Sequence, residues 1–378
     1  MLAACGALRT LDRAPGTPTA ARYSRVEFAD IPGWRDDRLR EAWPAWLAAC
    51  GALPSLGSRR IAWSAPCARS RDVDTTSDDA VRAFFEREFT PYRIESSDGN
   101  ADGLVTGYYE PRLNGSRTRH DRFQTPLHRP PADLVRVELA ELFPQLANAR
   151  VRGRIDGARL VPYWTRAEIV ARGAALDENA IVFVDDRVAA FFMEVQGSGR
   201  VSLDDGTLAR LAYADQNGHP YRAIGRVLVE RGEIARDDVS LQSIVAWTLT
   251  HPASVDALLA ENPSYVFFRE VEASADPAAG PPGSLGVSLV PERSVAVDPR
   301  NVPLGAPVFI STTRPSNRTA LERLVVALDT GGAIRGAVRF DYFWGTGDDA
   351  AREAGLMKER GRAWLLWPRD APLELPKT

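Results

Sequence analysis

A chain of 378 residues exceeds what one ordinary hydrophobic core accommodates, so two domains are expected. Its 44% hydrophobic and 26% charged content is that of a globular protein, not of a disordered or fibrous one. The 47 basic and 50 acidic residues are intermixed, leaving a net charge of −3 with no basic block, which argues against nucleic acid as a partner.

Residues 1–33, rich in Arg, Pro, Ala and Thr, read as an extended lead-in. Within them Leu2-Ala3-Ala4-Cys5 has the form of a bacterial lipobox, whose cysteine becomes lipidated, but without the charged and apolar regions that normally precede one. The same tetrapeptide recurs at Leu47–Cys50, so chance is the competing reading. "DDRLREAWPAWLAACGAL" sets Leu39, Trp43, Trp46, Leu47 and Cys50 at helical spacing, with Pro44 kinking the helix or starting a second segment. Cys50 and Cys67 enclose "GALPSLGSRRIAWSAP", a loop long enough to close. A disulfide there would contribute roughly 3 kcal/mol, and two buried thiols fit equally well. "SDDAVRAFFEREF" predicts a helix capped by Ser77, with Val81, Phe84, Phe85 and Phe89 as its core stripe.

From about residue 102 the texture changes to short strands punctuated by Gly, Pro and Asn: "GLVTGYYEPRL", "RLVPYWT", "AIVFVDD", "VAAFFMEVQGSGRVSL" and "GTLARLAYAD". Three helical patterns follow, the first ending at Gly232. Residues 272–286, "EASADPAAGPPGSLG", are the most linker-like stretch. Strands then resume with one helix, "GDDAAREAGLMKERG", a pattern that suits a closed barrel better than a doubly wound sheet. No run of 18 apolar residues is present, so no helix is expected to span a membrane.

The chain carries no Gly-x-Ser-x-Gly, no His-Glu-x-x-His and no phosphate loop. His120, His128, His219 and His251 show no ligand spacing, so neither a metal site nor a cofactor is expected. Acidic side chains, aromatics and Gly-rich turns remain, which is equipment for carbohydrate: carboxylates protonate glycosidic oxygens and amides bind hydroxyls. Four segments hold these groups. "TGYYEPRLNGS" has Tyr108 and Tyr109, and "EVQGSGRV" has Gln196, Gly197, Ser198 and Gly199. "YADQNGHPY" has Asn217 in an Asn-Gly turn, and "VALDTGGAIRGAVRFDYFWGTG" has Asp329 and Asp341. Plain loop geometry also accounts for each turn taken alone.

In order and wording these segments resemble the membrane-bound lytic transglycosylase A family, which cleaves bacterial murein. "TGYYEP", "VQGSGRVSLDDGTLARLAYADQNGHPYRAIGRVLVERGEI", "GSLGVSLVPERSVAVDPRNVPLGAPVFI" and "VALDTGGAIRGAVRFDYFWGTGDDAAREAGLMKERGRAWLL" look like its signature blocks, over residues 30–368. The last segment also resembles the 3D domain, with Asp298, Asp329 and Asp341 matching its three aspartates.

The resemblance implies a mainly β fold with flanking helices, in which a double-psi β-barrel and a second β-rich domain face each other across a deep groove. It assigns 34–104 plus 271–378 to the barrel and 105–270 to the insertion. Asp341 would be the single general acid/base, with Asp329 beside it, an ionised like charge that raises its pKa. Arg335 and Arg339 would lower that pKa if they point inward. Tyr108, Tyr109, Gln196, Gly197, Ser198, Gly199, Asn217 and Asp298 would contact the glycan strand. The resemblance further implies a monomer in the periplasm, attached to the outer membrane through a lipid on Cys5, bridged at Cys50–Cys67, and able to dock other cell-wall enzymes. Two other readings fit the same residues: an inverting hydrolase using Asp298 or Asp329 as base, and a polysaccharide-binding module without catalysis.

Overall fold

In the computed structural model, residues 21–52, 60–139, 141–143, 146, 151–272 and 279–373 are described. Cys5 lies outside them. The first described residues are not a lead-in: strand β1 (Arg22–Arg25) pairs antiparallel with β2 (Phe89–Glu95), and Ile31 and Trp34 are buried. Between these strands lie helices α1 (Trp43–Gly51), α2 (Arg60–Arg69) and α3 (Asp78–Glu88). Pro44 starts a segment instead of kinking one. Leu39–Ala42 form a separate 3-10 turn, and α1 begins with Pro44 in its first turn, where its missing N–H costs nothing. Ser77 caps α3 by accepting from the Ala80 N–H. Trp43, Trp46, Trp63, Phe84, Phe85 and Phe89 interlock edge to face over the barrel residue Trp367. A Cys50–Cys67 disulfide, Cα atoms 5.5 Å apart, ties α1 to α2.

After β3 (Gly103–Glu110) the chain leaves for a second domain. Its strands are β4 (Arg112–Ser116), β5 (Thr125–His128), β6 (Val135–Arg136), β7 (Arg152–Asp156), β8 (Arg159–Pro162), β9 (Ala180–Val184), β10 (Ser198–Leu203), β11 (Leu208–Gln216) and β12 (Val266–Val271). Its helices are α4 (Arg166–Ala171), α5 (Arg187–Gln196), α6 (Ile224–Glu230), α7 (Leu241–Thr250) and α8 (Val255–Ala260). A six-stranded sheet runs β12-β11-β10-β4-β9-β5, and β6-β7-β8 make a small separate sheet. The segment "VAAFFMEV", whose alternation predicts a strand, is instead α5. Asp186 accepts from the Val188 and Ala189 N–H groups at its start, and Gly197 at φ +81° caps its end, so local capping overrides a short alternating pattern.

The chain returns through β13 (Ser294–Val297), β14 (Pro307–Thr313), β15 (Ala320–Thr330), β16 (Arg339–Thr346), α9 (Asp348–Leu356) and β17 (Lys358–Pro368). The order β17-β14-β15-β13-β16-β3 closes on itself through a β17–β3 pairing, giving a six-stranded barrel with β2 and β1 extending from β17. Two pairs are parallel, β13–β15 and β16–β3, and the rest of the ring is antiparallel. Strand β3 therefore belongs to the barrel, and the passage to the second domain falls at Pro111, a few residues beyond 104. Both nearby glycines are fixed by close approach. A Cβ on Gly103 would sit 1.8 Å from the Val338 carbonyl, and one on Gly107 would sit 2.6 Å from the Trp344 indole nitrogen.

Candidate active site

Register alone brings the acidic residues together. Ala296 on β13 pairs with Asp329 on one side and with Asp341 on the other, and Asp341 pairs with Thr106 on β3. Residues opposite one another in a ladder share a face, so Asp329, Ala296, Asp341 and Thr106 form one row across four strands. The two aspartates stand two strand spacings apart, about 10 Å between backbones. Ala296 between them has no side chain large enough to separate the carboxyl groups.

Asp341 is half-buried and keeps partial access to solvent. Its Oδ1 accepts from the Thr106 hydroxyl at 2.5 Å, and Thr106 Oγ1 accepts from Arg339 Nη1 at 2.9 Å. Burial pushes the Asp341 carboxyl above the usual range. The Thr106 hydrogen bond and the Arg339 charge oppose that rise, and the nearby charge of Asp329 adds to it. Neither Asp341 nor Asp329 forms an ion pair among the described residues.

Asp329 is held differently. Its Oδ1 accepts from the Ser284 N–H at 2.9 Å, the Ser284 hydroxyl at 2.7 Å and the Thr330 N–H at 2.9 Å, while Oδ2 accepts from Tyr108 Oη at 3.2 Å. Burial pushes its carboxyl up as well, against these four donors. Asp298, the third aspartate of the resemblance, is only 1% exposed and is clamped by Arg300 at 2.9 and 2.6 Å. It also accepts from the Gly336 N–H at 2.9 Å. Although burial raises its pKa, the Arg300 and Gly336 bonds hold the carboxyl below its ordinary value. Asp298 thus anchors the turn leading into β16 and is not a sugar contact.

Several other expected glycan contacts prove structural. Asn217 is fully buried; its amide donates to the Trp164 and Pro263 carbonyls and its oxygen accepts from the Tyr265 N–H, so nothing is left for a ligand. Gly197 and Gly199 serve the passage from α5 to β10: a Cβ on Gly199 would press on Met193 at 2.7 Å, so the close approach there is to protein. Ser198 is buried between them. Gln196 Oε1 accepts from the Tyr109 N–H at 3.1 Å, which fastens α5 to β3. Tyr108 is buried too, its ring on Phe343 and its hydroxyl on Asp329. Tyr109 remains half-buried. Two residues of the constellation, Thr106 and Ser284, carry no signal in the sequence, and a third, Arg339, acts as its inward orientation implies, lowering the Asp341 pKa. Thr106 and Ser284 lie inside quoted blocks, "TGYYEP" and "GSLG", with nothing in composition to mark them. Arg339 points inward, onto Thr106.

A closed six-stranded barrel carrying a row of unpaired carboxyl groups, interrupted by a second β domain, defines the class. Residues 104–269 match the family model described as the MltA-specific insert domain, and residues 293–367 match the 3D domain. The membrane-bound lytic murein transglycosylase A of Escherichia coli K12 is 36% identical over 284 residues, covering 73% of this chain and 68% of that protein. Among solved structures, MltA of Neisseria gonorrhoeae in its monoclinic form aligns with a TM-score of 0.80 at 35% identity, covering 97% and 100% of the two chains. The lytic transglycosylase LtgG of Burkholderia pseudomallei aligns at 0.63 and 45% identity, covering 95% and 98%. The chain belongs to the membrane-bound lytic murein transglycosylase A family. A further structural relative, E. coli MltA with bound chitohexaose, aligns at 0.70 and 29% identity over 96% of this chain and 98% of that one.

Proposed function

We propose that this protein is a lytic transglycosylase of peptidoglycan, cleaving the β-1,4 bond between N-acetylmuramic acid and N-acetylglucosamine with Asp341 as its only general acid/base. The class of reaction rests on family membership. The assignment of the residue rests on one observation: Asp341 is a half-buried carboxyl, pushed up by burial, with a single hydrogen-bond donor and no ion pair among the described residues. Burial moves such a group toward keeping its proton, as an acid that protonates a leaving oxygen must. Four donors stabilise the Asp329 anion against one for Asp341, so of the pair Asp329 ionises first and Asp341 keeps the proton.

The cycle follows. Asp341 gives its proton to the glycosidic oxygen as the bond to C1 of the muramoyl unit breaks. Positive charge develops at C1, and the sugar's own C6 hydroxyl attacks it while Asp341, now a carboxylate, takes that hydroxyl's proton. The product ends in 1,6-anhydromuramic acid without consumption of water. An inverting hydrolase would need a second carboxylate free to activate water, roughly 6.5–9.5 Å away. Asp329 and Asp298 are both saturated by protein donors, which disfavours that route. The intramolecular nucleophile supplies the missing group at high effective concentration. The Cys50–Cys67 disulfide accords with an oxidising compartment such as the periplasm.

The test is a digest of purified sacculi analysed by mass spectrometry. Muropeptides lighter by one water than reducing-end products are expected. Reducing ends would overturn the assignment.

A further inference from the structure

The carboxyl of Asp341 has two oxygens, and they are not equivalent. Oδ1 accepts from Thr106 Oγ1, while Oδ2 has no protein hydrogen bond among the described residues and is not sealed from solvent. Thr106 in turn has a fixed partner. Arg339 Nη1 donates to Thr106 Oγ1 at 2.9 Å and to the Phe340 carbonyl at 2.6 Å, so the guanidinium is anchored to the strand that carries Asp341. Arginine has no acceptor atom, and a threonine hydroxyl has one proton. With Arg339 donating into the oxygen, that proton can only point away from it, toward Asp341 Oδ1.

A neutral carboxyl group accepts through its carbonyl oxygen and carries its proton on the other. From these constraints we infer that Thr106 and Arg339 are positioning residues that make Oδ1 the permanent acceptor and confine the transferable proton to Oδ2, the open oxygen, in both halves of the cycle. This rests on the reading of Asp341 as acid/base and specifies its geometry. In the first half the proton leaves Oδ2 for the glycosidic oxygen, and the C1–O bond breaks. In the second the proton of the C6 hydroxyl returns to Oδ2 as its oxygen bonds C1. Atoms and charge balance, and Oδ1 gains and loses nothing. Without the Thr106 donor the proton can reside on either oxygen, and half of those states face protein.

The groups facing Asp341 are Thr106 and Tyr108 from β3, Arg339 from its own strand and Asp329 from β15. Lys358 on β17 is the cross-strand partner of Thr106, with an exposed side chain. Removing the hydroxyl removes a donor that favours the anion, so the acid must lose its proton at higher pH.

The experiment compares wild type, Thr106→Val, Thr106→Ser and Arg339→Met on purified sacculi, counting anhydro ends across pH at saturating substrate. Thr106→Val is expected to lower turnover about 10- to 100-fold, less than the roughly 100- to 10,000-fold that a whole general acid–base group contributes. Its alkaline limb should move to higher pH with the Michaelis constant little changed. Thr106→Ser keeps the hydroxyl and should restore both turnover and limb. Arg339→Met should move the limb in the same direction, through its lost charge as well as its lost donor, and Thr106→Ala reads the hydroxyl if the valine variant fails to fold. An unshifted limb in folded Thr106→Val, or a serine variant as impaired as the valine one, overturns the inference while leaving Asp341 as the acid. Reducing ends from wild type would instead overturn the underlying reading.

Discussion

Buried carboxylates occur in both parts of the molecule, most of them paired with arginine, as Asp37 is with Arg293 beside the barrel, and the Asp329–Asp341 row keeps different company. In the second domain Glu194 meets Arg166 through two hydrogen bonds at 2.9 and 2.7 Å, and Asp215 lies between Arg136 and Arg152 at 2.6 and 2.8 Å. At the junction Glu110, fully buried at the end of β3, takes Arg200 at 2.8 Å and Arg210 at 2.9 Å, and both arginines also donate to the Ala279 carbonyl. Four residues earlier on the same strand, Thr106 faces Asp341, which forms no ion pair among the described residues and meets its nearest cation, Arg339, only through the Thr106 hydroxyl. Charge paired with charge is an architectural fastening that gains nothing from titrating. A carboxyl buried without a counter-ion is held at a cost in stability, and that cost makes its proton available for chemistry.

The contrast is broken most directly by Asp341→Asn. Cleavage of sacculi should fall at least 1,000-fold, to the level of background, on the order of what removal of an essential acid–base group costs. Stability should move the other way. A carboxyl whose folded pKa is raised stabilises the fold fully only below its unfolded value near 3.9, and that contribution is lost as pH rises through the folded value. The amide does not titrate, so the variant should melt higher than wild type at pH 7, with the gap closing toward pH 4. Equal melting temperatures at both pH values would show that Asp341 is not strained by its burial.

Asp329→Asn sharpens the same comparison with a smaller loss. The like charge of Asp329 raises Asp341, so its removal should shift the alkaline limb of turnover to lower pH. That is opposite to the expectation for Thr106→Val. Turnover should drop about 100-fold, because the amide oxygen keeps the Ser284 and Thr330 donors while its N–H₂ replaces Oδ2, the acceptor of the Tyr108 hydroxyl, and disorders the row. An unshifted limb would mean that Asp329 does not act as a like charge on Asp341, and loss of all turnover would mean that Asp329 itself holds an essential proton.

Much of this was legible in the chain before its structure. The Gly- and Pro-punctuated strands, the single late helix and the two aspartates in "LDTGGAIRGAVRFD" all point to a barrel bearing an acidic site. What was hidden is long-range. Thr106 and Asp341 are separated by 235 positions and meet only because β3 and β16 run parallel in register. No local pattern announces such a contact. The error at α5 has a local cause: "VAAFFMEV" satisfies two periodicities at once, and only Asp186 before it and Gly197 after it mark a helix. Asn217 was misread for a related reason. An Asn-Gly turn looks the same whether its amide serves the backbone or a ligand.

The fastenings supply the smaller effects. Glu110→Gln leaves Arg200 and Arg210 without their counter-charge in a buried junction, and should cost roughly 3–5 kcal/mol of stability. The loss should be read as an earlier denaturation midpoint in urea. If the two domains then melt separately, Glu110 is the joint between them; a single, slightly lowered transition would make it an ordinary core pair. Asn217→Ala probes the turn between β11 and α6. Among the described residues its side chain bonds only to backbone groups, those of Trp164, Pro263, Tyr265 and His219. The substitution should therefore destabilise by about 1–3 kcal/mol, the cost of leaving buried backbone groups unpaired. Turnover and the Michaelis constant on sacculi should both stay within twofold of wild type, since truncating a residue that never meets the glycan removes no binding energy. A raised Michaelis constant with unchanged stability would reverse the assignment: the turn would then be a glycan subsite, and the second domain would hold polar groups kept for substrate as the barrel does.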